Sequence, residues 1–415
     1  MSFIADLHIH GRYSRGCSKQ LDFDKLERFA RIKGLDLLGT GDFSHPSWLQ
    51  SIKSSLKEDG TGFLKTKNNF PFVLQNEYSF IYSQDKIGRR VHLCVLAPSL
   101  EVVEQINEEM GKLGRLDYDG RPIFGISCAE FTERMINISK DIEIFPAHIW
   151  TPWFSMFGSK SGFDTAKECF QEKIKHIHAI ETGLSSDPEM NWRLSQLDKF
   201  SILSFSDSHS YWPWRLGREA TIFDAKLDYK NLIRAIREEK IKETIEVDPA
   251  YGKYHEDGHR NCGVKLKPKE SLKNKNLCPV CKKPLTIGVM QRVEEIADRA
   301  EGYKPNGRPG FRKLLPLHEI ISYRLNKGIS SKSVWQEYNN LIKGKSENEV
   351  LLNTPKKELS KKTSDKIADA IIKNREGKVH VQAGYDGVYG KPLFEKKPEE
   401  VAQKKPFQKG LADFS

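Results

Sequence analysis

The run Ser2-Phe-Ile-Ala-Asp6-Leu-His8-Ile-His10-Gly11 constrains the chain more than any other stretch. It reads as a short apolar strand that passes into an Asp-x-His-x-His cluster and stops at a glycine. Alternate side chains of a strand share a face, so His8 and His10 point the same way with ring nitrogens close enough for one metal ion. Strands are expected at 3–8, 35–41, 72–77, 90–96, 143–147, 177–181 and 201–206, from short β-branched and apolar runs. Helical patterns lie between most of them, at 22–33, 46–56, 100–113, 129–138, 164–172 and 188–199. Such alternation predicts an open parallel sheet or a closed barrel with helices outside, and in both the active groups gather beyond the carboxyl ends of the strands.

Those ends carry one kind of chemistry. His8 and His10 follow the first strand, Asp42 the second with His45 three residues on, and Glu77 closes the third. Later come His148, Glu181, and Asp207 with His209, while Asp6 precedes the first pair and His92 sits inside its strand. Any one of these could be a helix cap or a polar loop residue. Their recurrence at strand end after strand end points to a polynuclear metal site. The chemistry that needs such a site is phosphoester hydrolysis, where charge must be neutralised, a water ionised and a leaving oxygen stabilised. Asp207 and Glu77 are placed to bridge metals, and with His209 they are the candidate catalytic residues.

The series Asp6-Leu-His8-Ile-His10, Thr40-Gly-Asp42, Glu77, His148 and Asp207-Ser-His209 resembles the PHP (polymerase and histidinol phosphatase) superfamily. The resemblance implies a distorted seven-stranded (βα) barrel holding up to three metals, and zinc, manganese or magnesium are the divalent metals expected there. It implies His8, His10, Asp42, Glu77, His148, Asp207 and His209 as ligands, although Asp42 stands where the superfamily commonly has histidine. His45, His92, Glu181 and Asp6 are expected as outer-sphere partners or extra ligands. The segment Gly11-Arg-Tyr-Ser-Arg-Gly-Cys17 lacks the further ligand usual there.

Aromatic side chains follow two of the ligands: Trp150, Trp153 and Phe154 after His148, and Tyr211, Trp212 and Trp214 after His209, next to Arg215. They read either as a satellite core beneath long loops or as stacking walls for an unstacked base. The formal net charge of +11 makes an acidic partner such as nucleic acid electrostatically favourable. The start of the chain lacks a charged region followed by a long apolar run, and no stretch approaches a membrane span, so a cytoplasmic, nucleoid-associated protein is expected.

Past residue 250 the composition shifts. His259-x-x-Cys262 and Cys278-x-x-Cys281 have the spacing of a closed, four-ligand structural zinc site, with His255 as an alternative ligand. The organisation expected is a barrel over 1–250, a zinc module over 251–290, a basic, mainly helical DNA-binding region over 291–394 and a flexible tail over 395–415. Arg308 and Arg312 in a Gly/Pro loop, and Tyr385 and Tyr389 in Gly-Tyr-Asp-Gly-Val-Tyr-Gly, are candidate DNA contacts. In the tail, Gln408, Leu411 and Phe414 have the spacing of a sliding-clamp (PCNA) binding motif.

Barrel, knuckles and glycine-tyrosine segment, in that order, resemble the endonuclease Q family over nearly the whole chain. The resemblance implies a DNA repair endonuclease that cuts the phosphodiester 5′ of deaminated bases (uracil, hypoxanthine, xanthine) and abasic sites in double- or single-stranded DNA. A PHP-type phosphatase acting on a small monoester is the alternative that the barrel alone would permit.

Overall fold

The computed structural model of the chain describes residues 2–394, so the clamp motif Gln408, Leu411 and Phe414 lies outside the described residues. The molecule is mixed α/β around a central mixed sheet. Ser2–Asp6 pairs parallel with Leu37–Gly39, which pairs parallel with Pro71–Gln84. The expected alternation then breaks. Pro71–Gln84 and Ile87–Ala97 form one long antiparallel hairpin, and Ile87–Ala97 pairs antiparallel with Glu143–Pro146. Only Asp85 and Lys86 connect the hairpin strands, at φ 54° and 64°. Two left-handed residues give the tight turn that matches strand twist, whereas a parallel pairing would need a crossover of a dozen residues or more. One consequence is that Glu77 sits inside a strand rather than at its end.

Ala179–Glu181 and Ser201–Leu203 form a separate parallel pair. The segment after it returns to the first strand through a bridge between Ile9 and Ser208, where the His10 N–H donates to the Ser208 carbonyl at 2.9 Å. One buried core draws on all these elements: Ala5 and Leu7, Leu37, Val73, Leu96, Phe145, Ala179 and Leu203 are each essentially inaccessible. Each such side chain contributes about 1.5–3 kcal/mol when fully buried if it is large and apolar.

The other edge of the sheet is built from strands absent from the sequence expectation. Ala220–Asp224 pairs antiparallel with Ser2–Asp6 and with Ile241–Glu246, and Gly310–Lys313 adds parallel to the latter. The Gly/Pro loop therefore ends in a sheet strand. The helix expected at 188–199 is only Pro188–Trp192 followed by the short turn Ser195–Leu197. Its ladder stops because the Arg193 carbonyl accepts from the N–H groups of Asp298 and Arg299 at 3.2 and 3.1 Å. Phe23–Lys33 forms as its pattern predicts, with the Asp22 carboxylate accepting from the Lys25 N–H at 2.8 Å and Gly34 closing the C-terminus at φ 90°.

The helices Leu317–Leu325, Lys332–Leu341, Glu347–Leu352, Lys356–Lys362 and Asp365–Arg375 enclose a core of their own. A buried ion pair fastens this unit to the N-terminal half: Lys33 Nζ lies 2.7 Å from Glu347, whose carboxylate also accepts from Leu317 N–H and the Tyr338 hydroxyl. Among the described residues no helix is long and apolar enough to cross a membrane.

Candidate metal centre

The histidine pair at the end of the first strand meets two carboxylates from distant elements. His8, His10, Glu77 and Asp207 each bring a ligand atom within 4.8 Å of the others, and a second set, Glu77, His92 and His148, does the same. Glu77 belongs to both, with Oε2 directed at the first set and Oε1 at the second. Oε2 lies 3.2 Å from His10 Nε2 and 3.5 Å from His8 Nε2, and Oε1 lies 2.7 Å from His92 Nδ1 and 3.1 Å from His148 Nε2. Asp207 Oδ1 stands 3.0 Å from His10 Nε2.

The opposite ring nitrogens decide what those atoms can do. His8 Nδ1 donates to Glu181 at 2.9 Å and His10 Nδ1 donates to Asp42 at 2.9 Å. His148 Nδ1 faces the Thr151 hydroxyl at 3.2 Å. A carboxylate at Nδ1 fixes the proton there and leaves the Nε2 lone pair facing the carboxylates, the arrangement that metal-binding histidines use. Buried without a cation, those groups would set lone pair against lone pair. His8 Nε2 and Glu77 Oε2 are indeed buried with no hydrogen-bond partner, so the donor set of the first position fits a divalent metal, and the second offers donors of the same kind. Burial alone would raise the Glu77 carboxyl, but the surrounding imidazoles of His92, His8, His10 and His148 hold it well below the usual carboxylate range. Asp207 is likewise held low against burial, by His10, His8 and His209. Burial would lower His10, but Asp42, Asp207 and Glu77 raise it to about 10; the proton such a value describes and a metal ion compete for the same Nε2.

The residues expected at the site do not all play one part. Asp42 is not among the converging ligands: its oxygens are occupied by His10 Nδ1, the Gly11 N–H at 2.6 Å and the Ser14 hydroxyl at 2.7 Å. Glu181 is similarly held by His8 and the His148 N–H at 2.8 Å. Asp6 accepts from Ser206 and Gly217 and joins the first strand to the loop bearing Asp207. The His209 ring lies tilted against the His10 ring at 4.4 Å without joining either ligand set, and His45 stacks on Tyr13. His92, expected as an outer-sphere partner or extra ligand because it sits inside its strand, is in the second set. Asp42, His148 and Asp207 all take left-handed backbone conformations, at φ 43°, 31° and 46°. For side chains other than glycine this is strained, and such strain collects where a site over-determines geometry.

The aromatics divide. Trp150 is buried and donates to Asn191 at 2.8 Å. Trp212 stacks on Trp214 at 5.2 Å, and with Tyr211 they pack against Phe29, Trp335 and His318, forming a seam between the N-terminal half and the C-terminal helices. These four rings are packing residues and not free stacking walls. Trp153 is 38% exposed and rests on Tyr254, while Phe154 covers His92. A cavity of about 320 Å³ opens beside Asp207 and His209, lined also by Arg215, Arg218, Tyr251 and Tyr389. Arg308 and Arg312 are committed elsewhere: Arg308 to the Asp198 and Phe200 carbonyls and Glu239, Arg312 to Glu243 at 2.6 Å. Arg312 makes its pair through Nε, and its side chain is 44% exposed.

His259, Cys262, Cys278 and Cys281 form a third convergent set, with Cys281 Sγ 3.4 Å from His259 Nδ1. Burial would raise the Cys278 thiol, but N–H groups of Cys281 and Val280 bring it down to about 6. His255 is not in this set. Next to it, the segment 384–390 docks through backbone bonds from Gly384 N–H to the Ala250 carbonyl and from Gly387 N–H to the Lys253 carbonyl. Tyr385 is built into that segment, bridging to Glu256, whereas Tyr389 is 56% exposed.

Residues 316–378 match the family model of the MJ0043 C-terminal domain, a span that takes in all five helices of the C-terminal unit. The Methanocaldococcus jannaschii protein MJ0043 is 34% identical over 299 residues, 70% of this chain; the chain spans 36% of that relative's length. The crystal structure of the lesion-specific endonuclease PfuEndoQ from Pyrococcus furiosus superposes with a TM-score of 0.85 at 30% identity, covering 97% of this chain and 98% of that one. A structure of Endonuclease Q with a 27-mer duplex carrying an abasic lesion at the active site gives a TM-score of 0.84 at 31% identity, with both chains covered in full. Together, fold and paired ligand sets define a metal-dependent endonuclease. The chain belongs to the endonuclease Q family.

Proposed function

We propose that the chain is a DNA repair endonuclease that hydrolyses the phosphodiester 5′ of deaminated bases and abasic sites, acting in the cytoplasm on nucleoid DNA. The observation that carries this reading is the full-length similarity to an endonuclease Q bound to an abasic duplex, taken with a carboxylate, Glu77, shared by two ligand sets. We read the strands around the common core as the distorted seven-stranded barrel of the catalytic part, with the knuckle and the helical unit as separate DNA-holding modules. His8, His10, Glu77 and Asp207 would hold one divalent metal, and Glu77, His92 and His148 another. Metals so bound would supply Lewis acidity, offsetting phosphate charge and lowering the pKa of water.

The protein's own groups do the rest. Asp42 and Glu181 keep His10 and His8 in the tautomer that presents Nε2. His209, at the rim beside Asp207, is placed to pass a proton to the leaving oxygen. The cavity beside it would take the extruded base or the vacant sugar, with Tyr251 and Tyr389 as walls and Arg215 near the flanking phosphate. His259, Cys262, Cys278 and Cys281 would bind a structural zinc, since a closed set of thiolates and imidazole leaves no open position for chemistry. A sliding clamp remains the partner proposed for Gln408, Leu411 and Phe414.

The test is strand-cleavage mapping on end-labelled duplexes carrying uracil, hypoxanthine, an abasic site or no lesion, with magnesium, manganese or zinc supplied. Incision immediately 5′ of the lesion, absent from undamaged duplex and from Asp207→Asn, is the expected result. Cleavage of a chromogenic phosphomonoester but of no DNA would sink the proposal.

A further inference from the structure

One charged side chain near the shared carboxylate has no part in the ligand sets. Arg121 Nη1 lies 3.6 Å from Glu77 Oε2, and its side chain is 22% exposed. That separation exceeds a hydrogen bond, and among the described residues no acceptor is hydrogen-bonded to its guanidinium. Arg218, by contrast, donates to the Ser206 carbonyl at 3.1 and 3.3 Å. Arg121 thus reaches the rim within ion-pair distance of Glu77, and among the described residues its fork makes no hydrogen bond.

The loop that carries it is built to come this close. Asp119 Oδ1 accepts from the N–H groups of Arg15 and Arg121, at 3.2 and 3.3 Å, and so joins the loop to the turn after the histidine pair. Gly120 rests directly on Asp42 and Ser14, where any Cβ would collide with both side chains. Only glycine permits that approach.

We propose that Arg121 is a further catalytic residue, whose guanidinium grips the non-bridging oxygens of the scissile phosphodiester next to Glu77. Filled ligand sets would leave Glu77 neutralised, and a guanidinium so near would then add positive charge to a cationic rim. That arrangement is favourable only with an anion between them, and a planar fork matches phosphate oxygens two at a time. In hydrolysis the oxygen of water bonds to phosphorus and one ester P–O bond breaks. Its electron pair leaves with the ester oxygen, which takes up a proton, and charge builds on the oxygens that Arg121 faces. A preorganised donor aimed at developing charge contributes about 10²–10³-fold in rate.

The inference rests on the nuclease reading for the identity of the diester but not for the grip on phosphate. Two measurements on the metal-loaded full chain therefore separate them: single-turnover incision of the abasic duplex, and calorimetric binding of inorganic phosphate. Arg121→Ala should lose about 10²-fold or more in incision rate, keep its bound metal, and bind phosphate at least tenfold more weakly, with Arg121→Lys intermediate. An unchanged rate, an unchanged phosphate affinity, or a rate loss that tracks loss of metal would each overturn the assignment. If wild type cuts no duplex, the nuclease reading fails and the phosphate titration alone decides the role of Arg121.

Discussion

At the residue scale the site is a division of labour among carboxylates of similar appearance. Glu77 faces four imidazoles with its two oxygens, while Asp42 and Glu181 are saturated by donors and act through the histidines they orient. Their loss should therefore read differently. Glu77→Gln should abolish incision and remove metal from both positions at once, as counted by elemental analysis of the dialysed protein. Asp42→Asn should weaken metal binding by about 10–100-fold, as outer-sphere changes do, and recover activity as metal is added. Equal stoichiometry in Glu77→Gln and wild type would remove it as the shared ligand. His8, His10, His148 and Asp207 were legible from sequence because each follows a strand. Orientation of a histidine depends on which distant carboxylate meets Nδ1, here Glu181 173 residues away, and no local pattern records that. Arg121 escaped for the same reason, since its loop has no periodicity and its significance lies in contacts with Glu77.

Elements formed where the local signals agreed and departed where topology overruled them. The Asp22 cap and the 3.6-residue pattern fixed one helix, but the turn at Asp85-Lys86 converted two expected parallel strands into a hairpin, bringing Glu77 and His92 to one face. Strands at the other edge carry a second device, unread in the sequence. Glu246, in Ile241–Glu246, is wholly buried; burial pushes its carboxyl up to about 8, against hydrogen bonds from Thr244, Thr182 and Ser204 and with Asp187 adding to the rise. Burial and Glu246 together raise neighbouring Glu219 as well. A raised folded-state value means the group's contribution is fully present below its unfolded value near 4.5 and is lost as pH rises through 8. Stability should thus fall between pH 5 and 8 by up to about 1.4 kcal/mol per pH unit from this group. Glu246→Gln should flatten that slope in denaturant titrations at pH 5, 7 and 8.5. An identical slope in variant and wild type would show that another group sets it.

Across the whole molecule the knuckle, the 384–390 segment and the cavity are mechanically continuous. Asp386 Oδ2 accepts from the Arg260 N–H at 2.7 Å, between the candidate ligands His259 and Cys262, and its Oδ1 accepts from Thr286 at 2.6 Å, just after the second knuckle. Three residues on, Tyr389 lines the cavity beside Asp207 and His209. The spacing of the knuckles could be read from the sequence, whereas this connection could not, because it joins residues 126 positions apart. The zinc proposed for His259, Cys262, Cys278 and Cys281 would supply folding free energy to the knuckle, so emptying that site should release Asp386 and with it the tyrosine. Cys278→Ser should lose one metal per chain, become susceptible to limited proteolysis within 384–390, and bind a lesion duplex more weakly, while His8, His10, Glu77 and Asp207 retain theirs. Asp386→Ala should reproduce the proteolysis and the weaker binding with all metals in place. If Asp386→Ala leaves the segment as protected as wild type, the knuckle acts on DNA by its own surface and not through the wall of the cavity.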